Sequence, residues 1–136
     1  VKEVVRDKRV IVVDDSVVRG TTTKGKIRSL RQAGSKQIHL RVACPPVKNP
    51  CFYGVHFPIR EELLASQRTL EEIRDYLEVD SVEYISLEGM LRCASLPADH
   101  YCTACWSGKY RIPVSMVVNK FSMERHQMQL FDEIES

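Results

Sequence analysis

The sequence predicts an α/β protein, in which helices flank a parallel sheet and an irregular, cysteine-containing extension follows. Three observations favour this class. Residues 10–13 form a continuous apolar run that is rich in β-branched residues and too short for a buried helix. Residues 37–43 alternate apolar and polar side chains with the period of a strand. Between these stretches, residues 24–33 have a helical pattern, and the order strand–helix–strand is typical of a parallel sheet.

The first three elements have individual signals. The run at 10–13 lacks alternation, so we predict a central strand covered on both faces. Ile27 and Leu30 are the inward anchors of the helix over 24–33, and Gly34 is its stop. The strand over 37–43 places His39 and Arg41 on one face. We expect His39 to be a partly exposed strand residue rather than a catalytic base.

The later elements are shorter. Residues 44–58 contain four prolines and are predicted to form a structured loop, because proline disrupts helices and central strands. A short helix is predicted over 59–66, and another begins at Thr69, which has the spacing of a capping box with Glu72. The predicted core stripe of that helix consists of Leu70, Ile73, Tyr76 and Leu77. A third strand over 82–86, a helix over 87–94 and an amphipathic tail over 119–136 complete the prediction.

Composition and charge exclude several classes of function. The 136 residues, 43% of them hydrophobic and 28% charged, suit one folded domain. The net charge of +2, with both signs interspersed, predicts no nucleic-acid partner. The longest apolar run is far too short for a membrane span and no signal-peptide pattern is present, so we expect no membrane partner and a cytoplasmic location. Five cysteines then favour reduced thiols or metal ligands.

Polar residues follow the first strand at the end where open α/β sheets bind ligands. Asp14 and Asp15 come first, and a turn rich in hydroxyl groups that contains Gly20 opens the next helix. The backbone N–H groups and the helix dipole at such a turn suit a phosphate. The two acids suit sugar hydroxyls or Mg²⁺ instead, so the pattern describes a phosphosugar site. The alternative is a plain strand–turn–helix in which Asp15 or Thr22 caps the helix.

Cys102 and Cys105 form a C-x-x-C pattern. Two thiolates at this spacing can bind one metal ion or one iron–sulfur cluster. A thioredoxin-like redox pair is the alternative, although such a pair is expected after a strand at the head of a βαβ unit. The pattern by itself leaves three interpretations open: a metal or cluster site, a redox pair, and ordinary thiols without a special role.

The stretch V-V-D-D-S-V-V-R-G-T-T resembles the phosphoribosyl pyrophosphate (PRPP) loop of type I phosphoribosyltransferases. Four further motifs extend the resemblance over about residues 9–113: P-P-V-K-N-P-C-F-Y-G, R-E-E-L-L-A-S, S-L-E-G-M and Y-C-T-A-C-W-S-G-K-Y. Together they resemble the iron–sulfur-containing amidophosphoribosyltransferases, or glutamine PRPP amidotransferases. The resemblance implies that residues 1–95 form part of a type I phosphoribosyltransferase domain and that residues 96–136 form an extension carrying the C-x-x-C.

The resemblance also implies the site residues. PRPP would be bound by Asp14, Asp15, Ser16, Val17, Val18, Arg19, Gly20, Thr21 and Thr22. Mg²⁺ would be held by Asp14 and Asp15, and a [4Fe–4S] cluster by Cys51, Cys102 and Cys105, with its fourth ligand outside this segment. Cys44 and Cys93 match no ligand position and are expected to be small buried hydrophobic residues. For Arg19, contact with the phosphate and a solvent-facing or structural position both remain open. No catalytic residue is predicted.

The activity that the resemblance implies belongs to a longer enzyme. In this family a glutaminase domain releases ammonia from glutamine, and the ammonia displaces pyrophosphate from PRPP to give 5-phosphoribosylamine, the first step of purine biosynthesis. We therefore expect this chain to be a fragment, inactive alone, with the glutaminase domain upstream and a homo-oligomer, by resemblance a tetramer, as the working form. Two alternatives stay open: a PRPP-binding regulator without catalysis, and a small metal-stabilised interaction domain.

Overall fold

The computed structural model describes residues 2–55 and 59–112. Its elements in chain order are α1 (Lys2–Val5), β1 (Arg9–Asp14), α2 (Thr21–Gln32), β2 (Gln37–Val42), a 3₁₀ turn (Arg60–Glu62), α3 (Leu64–Gln67), α4 (Leu70–Leu77), β3 (Ser81–Tyr84), α5 (Leu87–Arg92), a second 3₁₀ turn (Ala98–His100) and α6 (Ala104–Ser107). Within the described ranges, every helix falls short of the length and apolar character that a membrane span requires.

The three strands form one parallel sheet in the order β1–β2–β3. Leu40 in the central strand stands opposite Val12 on one side and Val82 on the other. Helices α2 and α4 connect consecutive strands and pack against the sheet, with Ile27 and Leu77 fully buried in the shared core. The predicted α/β class, with a parallel sheet flanked by helices, is confirmed.

The two faces of the sheet differ in burial. On the helix-covered face, Ile38 and Leu40 are fully buried. On the other face of β1, Ile11 is 66% and Val13 is 72% exposed. Strand β1 lies at the edge of the described sheet, so the prediction of a central strand covered on both faces is wrong for these residues. An apolar run indicates that a strand can be buried on both faces, but it does not show whether another element covers the second face.

Most predicted elements are found, with shifted ends. Helix α2 begins at Thr21, earlier than predicted, because Gly20 adopts φ +78° and turns the chain directly into the helix. Gly34, at φ +92°, follows the end of that helix as predicted. The predicted capping box is confirmed: the Glu72 N–H donates to Thr69 Oγ1 at 3.2 Å, and the Thr69 N–H donates to the Glu72 carboxylate at 2.7 Å.

Other predictions are confirmed only in part. The helix predicted over 59–66 is a 3₁₀ turn and the short α3, because Leu63 between them is extended at ψ 115°. In α4, Ile73 and Leu77 are buried, whereas Leu70 is 44% exposed. His39 is partly exposed as predicted, and its Nδ1 lies 2.9 Å from Ser81 Oγ. Residues 43–55 contain no helix or strand, as predicted, while 56–58 and the tail over 119–136 lie outside the described residues.

Candidate functional site

The loop between β1 and α2 lies beyond the carboxyl end of its strand. Asp14 is the last residue of β1, and Gly20 is the N-cap of α2. No described side chain caps the first turn of α2, so its N–H groups, including those of Thr21 and Thr22, are available to another acceptor. An uncapped helix start combines these donors with the positive end of the helix dipole and therefore suits an anion.

The two adjacent carboxylates have different surroundings. The side chain of Asp14 is only 14% exposed and pairs with Lys26 Nζ at 3.4 Å. Its second oxygen accepts a hydrogen bond from Thr23 Oγ1 at 3.2 Å. Asp15 is exposed, and one of its oxygens accepts the N–H of Ser16 at 2.7 Å. Asp14 is therefore fixed against α2, whereas Asp15 faces solvent, and the pair presents carboxylate oxygens beside the helix start.

The middle of the loop is fastened to the core. Val17 is 2% exposed, so its side chain is used for packing and only its backbone can face a ligand. The carbonyl of Val18 accepts the N–H of Leu64 at 2.9 Å. The Arg19 guanidinium pairs with Glu62, with Nε 2.8 Å from Oε2. Arg19 therefore forms an exposed ion pair in this structure, and its contact with a phosphate stays a prediction.

Gly20 is required by packing as well as by its backbone. Its φ of +78° is in the left-handed region that favours glycine. A Cβ at this position would lie 2.8 Å from Leu64 Cδ2 and 3.1 Å from Tyr76 Cε1. The Gly20 backbone therefore lies in close contact with side chains of α3 and α4.

Three contacts of the loop's charged side chains were missing from the predicted site. Thr23 and Lys26 both contact Asp14, and Glu62 contacts Arg19. The first two are three positions apart on a helix, so they share a face, and that face follows directly from the helix that opens after the acids. Glu62 lies 43 positions from Arg19, and no local pattern indicates such a contact.

The proline-rich loop and the C-x-x-C segment are bonded to each other. The carbonyl of Cys105 accepts the N–H groups of Lys48 and Asn49, at 3.0 Å each. The Tyr110 hydroxyl donates to the carbonyl of Pro50 at 2.7 Å. These bonds bring the two predicted cysteine-bearing segments into one region.

Of the three predicted cluster thiols, Cys51 and Cys102 lie close enough to Cys105 to affect its titration. Burial, together with smaller contributions from the nearby Cys51 and Cys102, raises the pKa of the Cys105 thiol to about 11, because a buried thiolate is poorly solvated and neighbouring thiolates repel it. Cys51 Sγ also accepts the N–H of Tyr53 at 3.4 Å. Within residues 2–55 and 59–112, however, no group of three His, Cys, Asp or Glu is arranged to hold a metal ion. The thiol donors fit the chemistry of an iron–sulfur cluster, but the described residues do not form a complete binding set.

The other two cysteines differ from each other. Cys44 is buried, as predicted, and this burial raises the pKa of its thiol. Cys93 is exposed, so its predicted burial is wrong. It follows the last residue of α5, where the chain leaves the core and residues 95–100 are largely exposed.

Comparison with curated proteins gives close relatives, although no protein-family model matches the chain. The amidophosphoribosyltransferase of Synechocystis sp. is 45% identical over 119 residues, which are 88% of this chain and 24% of the relative. That of Methanothermobacter thermautotrophicus is 42% identical over 118 residues, 87% of this chain and 25% of the relative. That of Mycobacterium tuberculosis strain H37Rv is 49% identical over 116 residues, 82% of this chain and 22% of the relative. The chain thus spans about a quarter of the length of these relatives.

Solved structures give the same result. The glutamine PRPP amidotransferase of B. subtilis, complexed with ADP and GMP, has a TM-score of 0.78 and 38% identity, covering 88% of this chain and 27% of that chain. A structure described as the allosteric regulatory enzyme of purine biosynthesis has a TM-score of 0.78 and 37% identity, covering 88% and 26%. The resemblance in the motifs and the phosphoribosyltransferase-type fold are therefore confirmed. The chain is a homologue of the amidophosphoribosyltransferases and corresponds to about a quarter of their length.

Proposed function

We propose that this chain is part of an enzyme that transfers glutamine-derived ammonia to PRPP, giving 5-phosphoribosylamine, pyrophosphate and glutamate. The part of this activity that we assign to the chain is the binding of PRPP. The observation that carries the proposal is the loop between β1 and α2, where a fixed and an exposed carboxylate stand beside an uncapped helix start. The identity of 42% to 49% with enzymes named amidophosphoribosyltransferase supports the same activity.

The turn that opens α2 would bind the 5′-phosphate. Ser16 and the N–H groups of residues 17–22 are the proposed donors, supported by the dipole of α2. Thr21 and Thr22 are exposed and add hydroxyl donors, while Arg19 adds positive charge beside the same turn. Because the loop is already fastened to the core, binding would cost little ordering of the backbone.

Asp14 and Asp15 would bind the ribose hydroxyls and Mg²⁺. Proteins commonly hold Mg²⁺ through one or two carboxylates together with substrate phosphates, which fits two adjacent acids that stand without a third ligand among the described residues. When bound, Mg²⁺ would neutralise charge on the departing pyrophosphate. Displacement at C1 develops positive charge on the ribose, so placement of charge matters more than an acid–base pair, and we assign no general acid or base.

We further propose that Cys51, Cys102 and Cys105 hold a [4Fe–4S] cluster, with the fourth ligand supplied from outside this segment. Such clusters take four thiolates, so the three thiols here would be an incomplete set. The proposed role is structural, because the reaction contains no redox step. Reduced thiols are typical of cytoplasmic proteins, so we place the parent enzyme in the cytoplasm. We also propose that the parent is a homo-oligomer and that each chain includes a glutaminase domain.

The test is anaerobic purification of the intact parent protein, with iron and sulfide counted and PRPP- and glutamine-dependent release of pyrophosphate measured with and without Mg²⁺. We expect about four irons per chain and Mg²⁺-dependent release. Tight PRPP binding without turnover would show a regulator of the same fold instead. Zinc in place of iron would overturn the cluster assignment. It would not bear on the PRPP assignment, which the turnover assay tests separately.

A further inference from the structure

Residues 60–67, formed by the first 3₁₀ turn and α3, pack against the second half of the proposed PRPP loop. The Leu64 N–H donates to the carbonyl of Val18 at 2.9 Å. The Leu64 side chain also fills the space beside Gly20, where an added Cβ would lie 2.8 Å from Leu64 Cδ2. Leu63 is fully buried and Leu64 is 6% exposed, so this segment is itself anchored in the core.

Glu62 is the charged residue by which this segment reaches the loop. Its Oε2 lies 2.8 Å from Nε and 2.5 Å from NH2 of Arg19, so two N–H groups of one guanidinium meet one carboxylate oxygen. This geometry fixes the direction of the arginine side chain. The two side chains are 52% and 47% exposed, and exposed ion pairs add little to folding stability. We therefore consider the position of this pair, at the turn that opens α2, rather than its contribution to folding stability.

We infer that Glu62 is a positioning residue for PRPP: through Arg19 it holds the turn at residues 18–20, and with it the N–H groups that face the 5′-phosphate. The inference rests on the proposed function. Without the pair, this turn would keep the Val18–Leu64 bond as its remaining polar link to the segment. The N–H groups would then sample more arrangements, and PRPP would have to restore the order on binding. Once PRPP is bound, the reacting C1 atom has the same surroundings.

The first test compares Glu62→Gln with Glu61→Gln in the intact parent enzyme. Both carboxylates belong to the same exposed 3₁₀ turn, but among the described residues only Glu62 forms an ion pair with the loop. We expect Glu62→Gln to raise the KM for PRPP about two- to fivefold with kcat unchanged, the range set by the modest strength of exposed pairs. Glu61→Gln should leave both constants unchanged. An unchanged KM in Glu62→Gln, or a fall in kcat instead, would overturn the inference.

The second test asks whether Glu62 acts through Arg19. In an Arg19→Ala background, Glu62→Gln should raise the KM no further, because its partner is already absent. An equal rise in both backgrounds would show that Glu62 acts on folding or on PRPP by another route. If the wild-type parent binds PRPP without turnover, the proposed activity fails. The wild type, Glu62→Gln, Arg19→Ala and the double variant are then compared by their PRPP affinity in calorimetry. The inference and the proposed function can therefore fail separately.

Discussion

Two regions of this molecule carry its predicted chemistry, and they are assembled differently. The proposed PRPP loop is one continuous stretch, in which Asp14 and its partner Thr23 are nine positions apart. The cysteine region joins two distant segments, and the bond from Tyr110 to Pro50 spans 60 positions. A continuous site can be recognised from one motif. A discontinuous site exists only after the fold has brought its segments together.

The two regions also differ in how their charges are compensated. In the loop, Asp14 pairs with Lys26 and Arg19 pairs with Glu62, so two of its three charged groups have a partner of opposite charge before any ligand arrives. In the cysteine region, burial raises the pKa of Cys105 to about 11, so this thiol stays protonated at neutral pH. Metal binding requires the thiolate, and a bound metal would supply the missing positive charge. Asp14 and Arg19 of the proposed PRPP loop are thus already paired, whereas the Cys105 thiol would need a bound metal in order to ionise.

The largest effect is expected from changing both acids of the loop, Asp14→Asn with Asp15→Asn, in the intact parent. Pyrophosphate release should fall by about 10²–10³-fold, the usual loss when a charged contact to the reacting group is removed. Ammonia release from glutamine should continue. The control is Asp75→Asn, since this exposed carboxylate pairs only with its neighbour Arg74 among the described residues. Normal transfer by the double variant would contradict the assignment of the loop.

Next in size is Gly20→Ala, which tests whether the loop is rigid before ligand arrives. The left-handed backbone should cost about 1–2 kcal/mol and the close contact with Leu64 about 1–3 kcal/mol. The matched control is Gly25→Ala in the same helix, where an added Cβ meets nothing within 4 Å and should stabilise by about 0.5–1 kcal/mol. Hydrogen exchange of α2 amides in the intact protein measures both. Equal effects would mean that the loop tolerates a shift.

Cys102→Ser tests the separation of the two regions. We expect the intact protein to lose iron while its affinity for PRPP changes by no more than about twofold, because among the described residues no hydrogen bond or ion pair joins Cys102 to the loop. Cys93→Ser is the control: this thiol is also exposed, but its one described bond is to the carbonyl of Gly89 at 3.3 Å, so iron should be retained. Loss of PRPP binding together with iron would show that the regions are coupled.

The smallest effect is expected at Asp80, which is bonded to strand β2 and helix α2. Asp80 Oδ2 accepts the N–H of Ile38 at 2.7 Å and pairs with Arg31 at 2.6 Å. The backbone bond, followed by the arginine, lowers the pKa of Asp80. Because the folded pKa lies below the unfolded value of about 3.9, the stabilisation is fully present above that value and is lost as pH falls through the folded pKa.

Asp80→Asn should therefore lower the free energy of unfolding at neutral pH by about 1 kcal/mol, since the site is partly exposed. The difference from wild type should shrink as the pH falls below about 4. Urea unfolding of the intact protein at several pH values measures this, with Asp75→Asn as the exposed control. A difference that stays constant down to pH 2 would show that the carboxylate charge is not involved.

The sequence predicted features that neighbouring residues decide. The capping box at Thr69 was found because both its hydrogen bonds join residues three apart. The start of α2 was placed too late, because three threonines have modest helix propensity and the left-handed Gly20 sets the helix start. The prediction that Cys93 is buried was wrong. It relied on the general tendency of cysteine to be buried, whereas this residue follows the end of α5 and is exposed.

By itself, the sequence determined the order of strands and helices and the family resemblance, and it suggested the proposed PRPP loop, because propensity, capping and motifs depend on residues close together in the chain. The tertiary structure decided that β1 lies at the edge of the described sheet, that Arg19 pairs with Glu62 43 positions away, and that Asn49 meets Cys105 56 positions away. Such contacts depend on how the helices pack on the sheet. No local pattern of residues encodes that packing.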